Sequence, residues 1–174
     1  EGLSVNDYIR EELATVSYSS VDVALELVWE IGSGAEMAKS DIKSAFRLLP
    51  VHPDDFELLG IHFEGKWYVD KALPMSGSIS CSLFEIFSTF LEWVFSEVTG
   101  NKRVTHYLDD FFFEGTPGSA DCQSLLASFK EPMNELGVPL AIEKTVGPDT
   151  VMTFLGIEID SKNMEARMPE DKRK

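Results

Sequence analysis

The sequence is poor in two features that would each point to a particular class of protein. It has only two cysteines, so we expect neither a disulfide scaffold nor a cysteine-based zinc site, and a reducing compartment fits. No apolar run reaches the roughly 18 residues that a membrane span needs. The nearest candidate, 79–98, is interrupted by three glutamates. We therefore expect no membrane partner.

Basic residues are also scarce, with 15 Lys and Arg against 30 Asp and Glu and a net charge of −15. Proteins that hold nucleic acid usually neutralise its phosphates with Lys and Arg, so this balance argues against a broadly basic surface. The few bases cluster, however. Lys39, Lys43 and Arg47 surround Asp41, which leaves open either a local basic lining in an acidic body or ordinary surface lysines.

Two adjacent carboxylates, Asp109 and Asp110, stand between runs of β-branched and aromatic residues that predict two strands, within 103–114. Asp41 follows another short apolar stretch and could also end a strand. Carboxylates at the ends of neighbouring strands can jointly hold Mg²⁺, which prefers a few carboxylates plus phosphate oxygens. The alternative is a solvated turn, where Asp is common because its side chain bonds nearby backbone.

Periodicity and turn residues predict alternating strands and helices along the rest of the chain. A ferredoxin-like antiparallel sheet backed by two helices, of α+β class, fits this order. Pro132 should bend or break the second long helix. The predicted helices are 21–29, 43–49, 78–98 and 120–136, and the predicted strands are 35–42, 56–63, 66–72, 103–114 as a hairpin, 139–142, 153–160 and 163–168.

Five sequence blocks, in a consistent order, resemble the palm domain of reverse transcriptases. They are DIKSAFRLLPV from Asp41, LPMSGS from Leu73, YLDD from Tyr107, the segment 137–145 with its lysine, and FLG from Phe154. A narrower resemblance, carried by SVND, SISCSLFEIFSTFLEWV, EKTVGP and FLGIEID, is to DIRS-type retrotransposons that carry a tyrosine recombinase. It covers nearly the whole chain.

The resemblance implies an RNA-directed DNA polymerase fragment with a palm and part of the fingers. The implied palm is 35–51 and 73–160, the partial fingers are 1–34 and roughly 52–72, and 161–174 begins the connection to the thumb. Implied partners are an RNA template, a DNA primer, deoxynucleotide triphosphates, and the remaining fingers, thumb and RNase H domains of a polyprotein. The implied location is intracellular, in cytoplasm or nucleus.

The resemblance also assigns the site residues. The catalytic and metal-binding residues are Asp41, Asp109 and Asp110, which would hold two Mg²⁺ ions, or Mn²⁺ in their place. The expected nucleotide-binding residues are Ile42, Ser44, Ala45, Phe46, Met75 and Lys144. Phe46 matches the position that excludes ribonucleotides, although a core Phe is an equal alternative. The expected primer and template residues are Tyr107, Leu108, Ser76, Phe154, Leu155 and Gly156.

One departure from the family pattern bears on activity. The second block of the family usually has a glycine at the position of Ser76. In this sequence the glycine comes one residue later, at Gly77. Together with the acidic charge, this leaves a second hypothesis, a catalytically degenerate retroelement-derived domain that acts as a scaffold or binding module. A third, a nucleotidyl cyclase with the same two-metal chemistry, is disfavoured by the YLDD and FLG blocks.

Overall fold

The computed structural model describes residues 2–173; Glu1 and Lys174 lie outside the described residues. The chain divides into two compact units. The first holds the chain up to Ser17 together with Ser44–Phe87, and the second holds Tyr18–Lys43 together with the chain from Ser88 onward. Within residues 2–173, no helix is both long and apolar enough to cross a bilayer.

Residues 2–173 contain four α-helices. They are α1 (Glu11–Ala14), α2 (Val21–Ile31), α3 (Ser80–Thr99) and α4 (Asp121–Glu135). Ser20 caps the N-terminus of α2, because its hydroxyl accepts a hydrogen bond from the amide of Asp22 at 3.2 Å. The helix ends at Gly32, whose φ of +96° favours glycine and whose amide donates to Val28.

The strands form three antiparallel sheets. They are β1 (Glu36–Asp41), β2 (Gly60–Phe63), β3 (Lys66–Val69), β4 (Val104–Tyr107), β5 (Asp110–Gly115), β6 (Val146–Asp149), β7 (Val151–Phe154), β8 (Ile157–Asp160) and β9 (Glu165–Arg167). The β2–β3 hairpin lies in the first unit. In the second unit, a four-stranded sheet has the order β4-β5-β1-β6, and β7, β8 and β9 form a separate sheet. The predicted α+β class with an antiparallel sheet is confirmed.

Strand β5 is buried on both faces, which explains its aromatic sequence. Phe111 and Phe113 pack on Phe129 of α4, with ring centroids 4.8 and 5.1 Å away. On the opposite face, Phe112 contacts Phe154 of β7 at 4.7 Å. The four-stranded sheet of the second unit is therefore covered by α4 and Phe95 of α3 on one face, and by α2 and the β7–β9 sheet on the other.

Two predicted strands are wrong in part. The segment 53–59 is a 3₁₀ helix rather than the start of a strand, because Pro53 occupies its first turn and its N-cap, His52, accepts from the amide of Asp54. The segment 153–160 is not one strand but the β7–β8 hairpin. Leu155 and Gly156 both have positive φ, +46° and +80°, as a two-residue type I′ hairpin turn requires.

Two further predictions for the chain after α3 are corrected. The predicted edge strand 139–142 is reduced to a single bridge between Leu140 and Ile42, and β6 lies beside β1 instead. Strand β6 approaches closely because Gly147 has no side chain: a Cβ there would lie 2.5 Å from the Met37 carbonyl oxygen. Helix α4 passes through Pro132 without a break and ends at Glu135, within one turn of it.

Candidate polymerase site

Two of the predicted carboxylates meet at one end of the four-stranded sheet. Asp41 is the last residue of β1 and Asp110 the first of β5, and they are direct partners in the antiparallel register. Paired residues project to the same face of a sheet, so both side chains point to one side. Asp109 directly precedes Asp110 and lies in the two-residue turn that joins β4 to β5. Its carbonyl accepts a hydrogen bond from the amide of Ile42 at 2.9 Å. The structure therefore brings all three predicted acids together.

The site concentrates negative charge in a partly buried position. Burial raises the pKa of Asp110, and the neighbouring charges of Asp109 and Asp41 raise it further. Burial likewise raises the pKa of Asp109, with a further contribution from Asp41. Removing these charges from water is unfavourable unless a cation offsets them. The arrangement is therefore electrostatically suited to bind cations.

Lys144 supplies one such cation from the chain itself. Its Nζ donates to Oδ2 of Asp41 at 2.8 Å, and this hydrogen bond raises the pKa of the lysine. Two backbone hydrogen bonds hold the segment before Lys144 beside the end of β1. The amide of Ala141 donates to the Asp41 carbonyl, and the amide of Lys43 donates to the Pro139 carbonyl, both at 2.8 Å. Since 59% of the Lys144 side chain is exposed, the ammonium lies at the open side of the site.

A second lysine at the site, Lys39, was noted in the sequence only as one of a cluster of bases. It lies two residues before Asp41 on the same face of β1, and its Nζ donates to the carbonyl of Thr153 in β7 at 2.9 Å. Its charge lowers the pKa of Asp110 against the effect of burial. Lys39 thus connects the two sheets and offsets part of the acidic charge.

The donor atoms fit a hard divalent cation, because carboxylate oxygens are the ligands that Mg²⁺ prefers. Within residues 2–173, however, no group of three or more His, Cys, Asp or Glu side chains is arranged as a metal-binding cluster.

Comparison with known proteins identifies the family that this geometry belongs to. A sequence profile described as reverse transcriptase (RNA-dependent DNA polymerase) matches residues 7–159. The chain belongs to the reverse transcriptase family. It is 30% identical over 137 residues to Protein P of duck hepatitis B virus (strain China), and 30% identical over 129 residues to that of strain Germany/DHBV-3.

Solved structures show the same fold. The foamy viral protease-reverse transcriptase in complex with double-stranded DNA aligns with a TM-score of 0.74 over 90% of this chain at 20% identity. Its counterpart with an RNA/DNA hybrid aligns with a TM-score of 0.66 over 83% at 21% identity. The chain spans only part of these relatives, 17% and 16% of the two viral P proteins and 25% and 19% of the two structures.

Among the primer and template residues expected in a reverse transcriptase, Tyr107 and Leu108 flank the acids. The Tyr107 ring packs on Tyr18 at 4.9 Å, so a residue outside the sequence blocks supports the YLDD hairpin. Leu108 has a φ of +51°, which is strained for a residue with a side chain. Phe154 is 2% exposed and lies in the core, so of the FLG block only Leu155 and Gly156, at the hairpin turn, remain partly exposed.

Ile42, predicted to bind nucleotide, is buried in the second unit. The remaining predicted residues of the reverse transcriptase site belong to the first unit. Ser44 is left-handed, with φ of +62°, and begins a 3₁₀ helix that holds Ala45 and Phe46. The Phe46 ring packs on Phe84 at 5.0 Å. Met75 and Ser76 lie in an exposed loop. That these five residues lie beside the three acids stays a prediction.

Sequence reasoning missed one buried polar pair behind the reverse transcriptase hairpin. His106 of β4 is 4% exposed, its Nδ1 lies 2.5 Å from Oε2 of Glu92 in α3, and its ring stacks on Phe111. Strand alternation predicts only that His106 faces away from Tyr107. No local pattern signals the pair, because its members are 14 residues apart on different elements.

Proposed function

We propose that this chain carries the polymerase site of an RNA-directed DNA polymerase of a retrotransposon. The observation that carries the proposal is the register of β1 and β5, which sets Asp41 beside Asp110, with Asp109 at the adjoining turn. The sequence blocks quoted above support an affiliation with DIRS-type elements. We further propose an intracellular setting, in cytoplasm or nucleus, and the partners implied by the family: RNA template, DNA primer, deoxynucleotide triphosphates and the remaining domains of a longer protein.

The proposed reaction is nucleotidyl transfer. A primer 3′-oxygen forms a bond to the α-phosphorus of a deoxynucleotide, the bond from that phosphorus to the β-bridging oxygen breaks, and pyrophosphate leaves. Two Mg²⁺ ions, or Mn²⁺ in their place, would lower the pKa of the attacking hydroxyl and offset charge on the leaving group. Asp41, Asp109 and Asp110 would hold these ions.

Lys144 is the residue best placed to act on the leaving group. Its ammonium is exposed at the open side of the acids, and its raised pKa keeps it protonated at neutral pH. Nζ would donate a proton to the leaving pyrophosphate. The proton of the primer hydroxyl would pass to solvent. The protein otherwise works by positioning and electrostatics.

The test is primer extension on an RNA template with Mg²⁺, using the chain within its full-length protein. We expect Asp109→Asn to abolish extension. The matched control is Asp149→Asn, which removes an acid from β6 of the same unit and should leave extension near normal. A folded full-length protein that shows no extension with any divalent ion would contradict the proposal.

The degenerate scaffold is the second candidate, and one observation bears on it. Ser76 is exposed, whereas a Cβ at Gly77 would lie 2.6 Å from the Ser80 hydroxyl oxygen. The loop of the first unit therefore needs its glycine at 77 and accepts a side chain at 76. If the full-length protein is inactive but Ser76→Gly restores extension, the serine is the cause of degeneration. If Ser76→Gly changes nothing in an active protein, the serine is compatible with polymerisation.

A further inference from the structure

The first unit contains a cavity of about 620 Å³ whose lining includes Ser76 but none of the predicted metal-binding or nucleotide-binding residues. This volume is within the range of about 300–1,000 Å³ typical of ligand pockets. The cavity is bounded by the 3₁₀ helices Val5–Tyr8 and Pro53–Leu59, the loop after Leu73 and the first turn of α3. Most of its lining is aliphatic, including Val51, Leu58, Leu59, Ile61, Ile79 and Leu83.

Hydrogen bonds within the first unit hold the cavity wall open. The Asn6 side chain accepts from the amide of Ser78 and donates to the carbonyl of Ser76, both at 2.9 Å. The Ser80 hydroxyl donates to the Pro74 carbonyl at 2.6 Å. These polar groups of the wall are engaged with one another, so the cavity is preformed and presents chiefly apolar surface to a ligand.

The charges around the cavity select the sign of the ligand. No Lys or Arg lines it, and the two acids that do differ in their partners. Asp70 is bound by the Arg47 guanidinium at 2.7 and 2.8 Å and accepts from the amide of Ala72. Asp55 is exposed on the 3₁₀ helix, and its only basic neighbour in the cavity lining is His52, whose carbonyl accepts from the Asp55 amide. An exposed carboxylate repels anions and attracts cations, so the charge of this cavity favours a cationic ligand.

We propose that the cavity binds a peptide segment that inserts one apolar side chain and places a Lys or Arg beside Asp55. The apolar lining supplies the burial energy and Asp55 selects the flanking charge. Leu58 and Ile61 line the cavity yet are 58% and 54% exposed, which leaves apolar surface for such a segment to cover. The proposal is independent of polymerase activity.

The test measures binding of three labelled peptides to the whole chain by fluorescence anisotropy. The first has a central Leu-Phe-Leu flanked by lysines, the second replaces the lysines with glutamates, and the third replaces the apolar residues with serines. We expect the first peptide alone to bind measurably at low salt. Equal binding of the lysine and glutamate peptides, no binding of any, or equal binding of the serine peptide would each overturn the proposal.

Two matched pairs of variants locate the site. Asp55→Asn should weaken binding of the lysine peptide by roughly twofold to fivefold, the range of an exposed ion pair. Asp54→Asn is the control, because it removes the same charge from a neighbouring residue that does not line the cavity. Ile61→Ser should weaken it severalfold, whereas Phe63→Ser removes a similarly exposed side chain of β2 that does not line the cavity. Equal effects within either pair would show attraction to the acidic surface at large and contradict the assigned site.

Discussion

The Lys144 ammonium nitrogen and Oδ2 of Asp41 lie 2.8 Å apart, although 103 residues separate them in sequence. The Lys144 ammonium group thus occupies a carboxylate that, in the proposed function, would bind a metal ion. The two uses of Asp41 therefore compete. Lys144 must share or leave Asp41 when a divalent cation binds there.

Lys144→Met tests this competition. We expect the variant to bind Mg²⁺ severalfold more tightly than the parent chain, because one positive charge is removed from the carboxylates, while polymerisation in the full-length protein slows. The gain in melting temperature on adding Mg²⁺ measures the first effect. Lys162→Met is the control, since it removes an equal charge at an exposed turn. Unchanged Mg²⁺ affinity would show that the pair does not compete with metal.

Asp110→Asn should stabilise the metal-free protein at neutral pH. The folded-state pKa of Asp110 is raised, so the ionised group opposes folding once the pH exceeds its unfolded value near 4. The penalty is absent below that pH and grows as the pH rises through the folded-state pKa. Urea unfolding from pH 4 to 8 should therefore show a smaller loss of stability in the variant. An identical pH dependence in the two proteins would argue against this account.

Glu114 should destabilise the fold at neutral pH more than any surface acid. Its side chain is fully buried, neither carboxyl oxygen has a hydrogen-bond partner within the described residues, and burial raises its pKa to about 9. The Glu114 carboxyl therefore does not affect the free energy of unfolding below about pH 4.5, and it lowers that free energy progressively as the pH rises toward 9. Glu114→Gln should remove most of this slope and raise stability at pH 8 by an amount on the order of a few kcal/mol.

The control for Glu114 is Glu131→Gln, which neutralises an exposed acid of α4. Chemical unfolding at pH 5 and pH 8 compares the two variants with the parent chain. If Glu114→Gln lowered stability at both pH values, the carboxyl would be making a favourable native interaction and the expectation would be wrong.

The His106–Glu92 pair should couple α3 to the hairpin that carries the acids. Glu92→Gln and His106→Phe each remove the charged hydrogen bond, whereas the double variant removes both partners. A double-mutant cycle in the free energy of unfolding should give a coupling of about 1–3 kcal/mol. Additive effects within about 0.5 kcal/mol would show that the contact contributes little.

Phe46→Ala tests the proposed exclusion of ribonucleotides. In the full-length protein we expect the variant to incorporate ribonucleotides more efficiently relative to deoxynucleotides, because the smaller side chain leaves room for a 2′-hydroxyl. Phe87→Ala, which removes another ring that packs on Phe84 and is not a predicted site residue, serves as the control. Loss of stability with unchanged sugar discrimination would assign Phe46 to packing on Phe84 instead.

Local chemistry explains which elements could be predicted. The strands around YLDD are predictable because their signals lie within a few residues. The β7–β8 turn was missed because Leu155 adopts a positive φ that side-chain propensity disfavours. Pro132 does not break α4 because it removes only one backbone hydrogen bond, and the helix ends three residues later at Glu135.

The sequence by itself determined the class of fold, the three acids and the family, because each depends on residue type and local order. Only the tertiary structure decided the pairing of Asp41 with Asp110, the reach of Lys144 to Asp41, and the burial of Glu114 in a strand covered on both faces. These depend on register and packing between segments far apart in the chain. Local sequence patterns carry no information about such contacts, because the free energy that selects them comes from burial of the whole sheet.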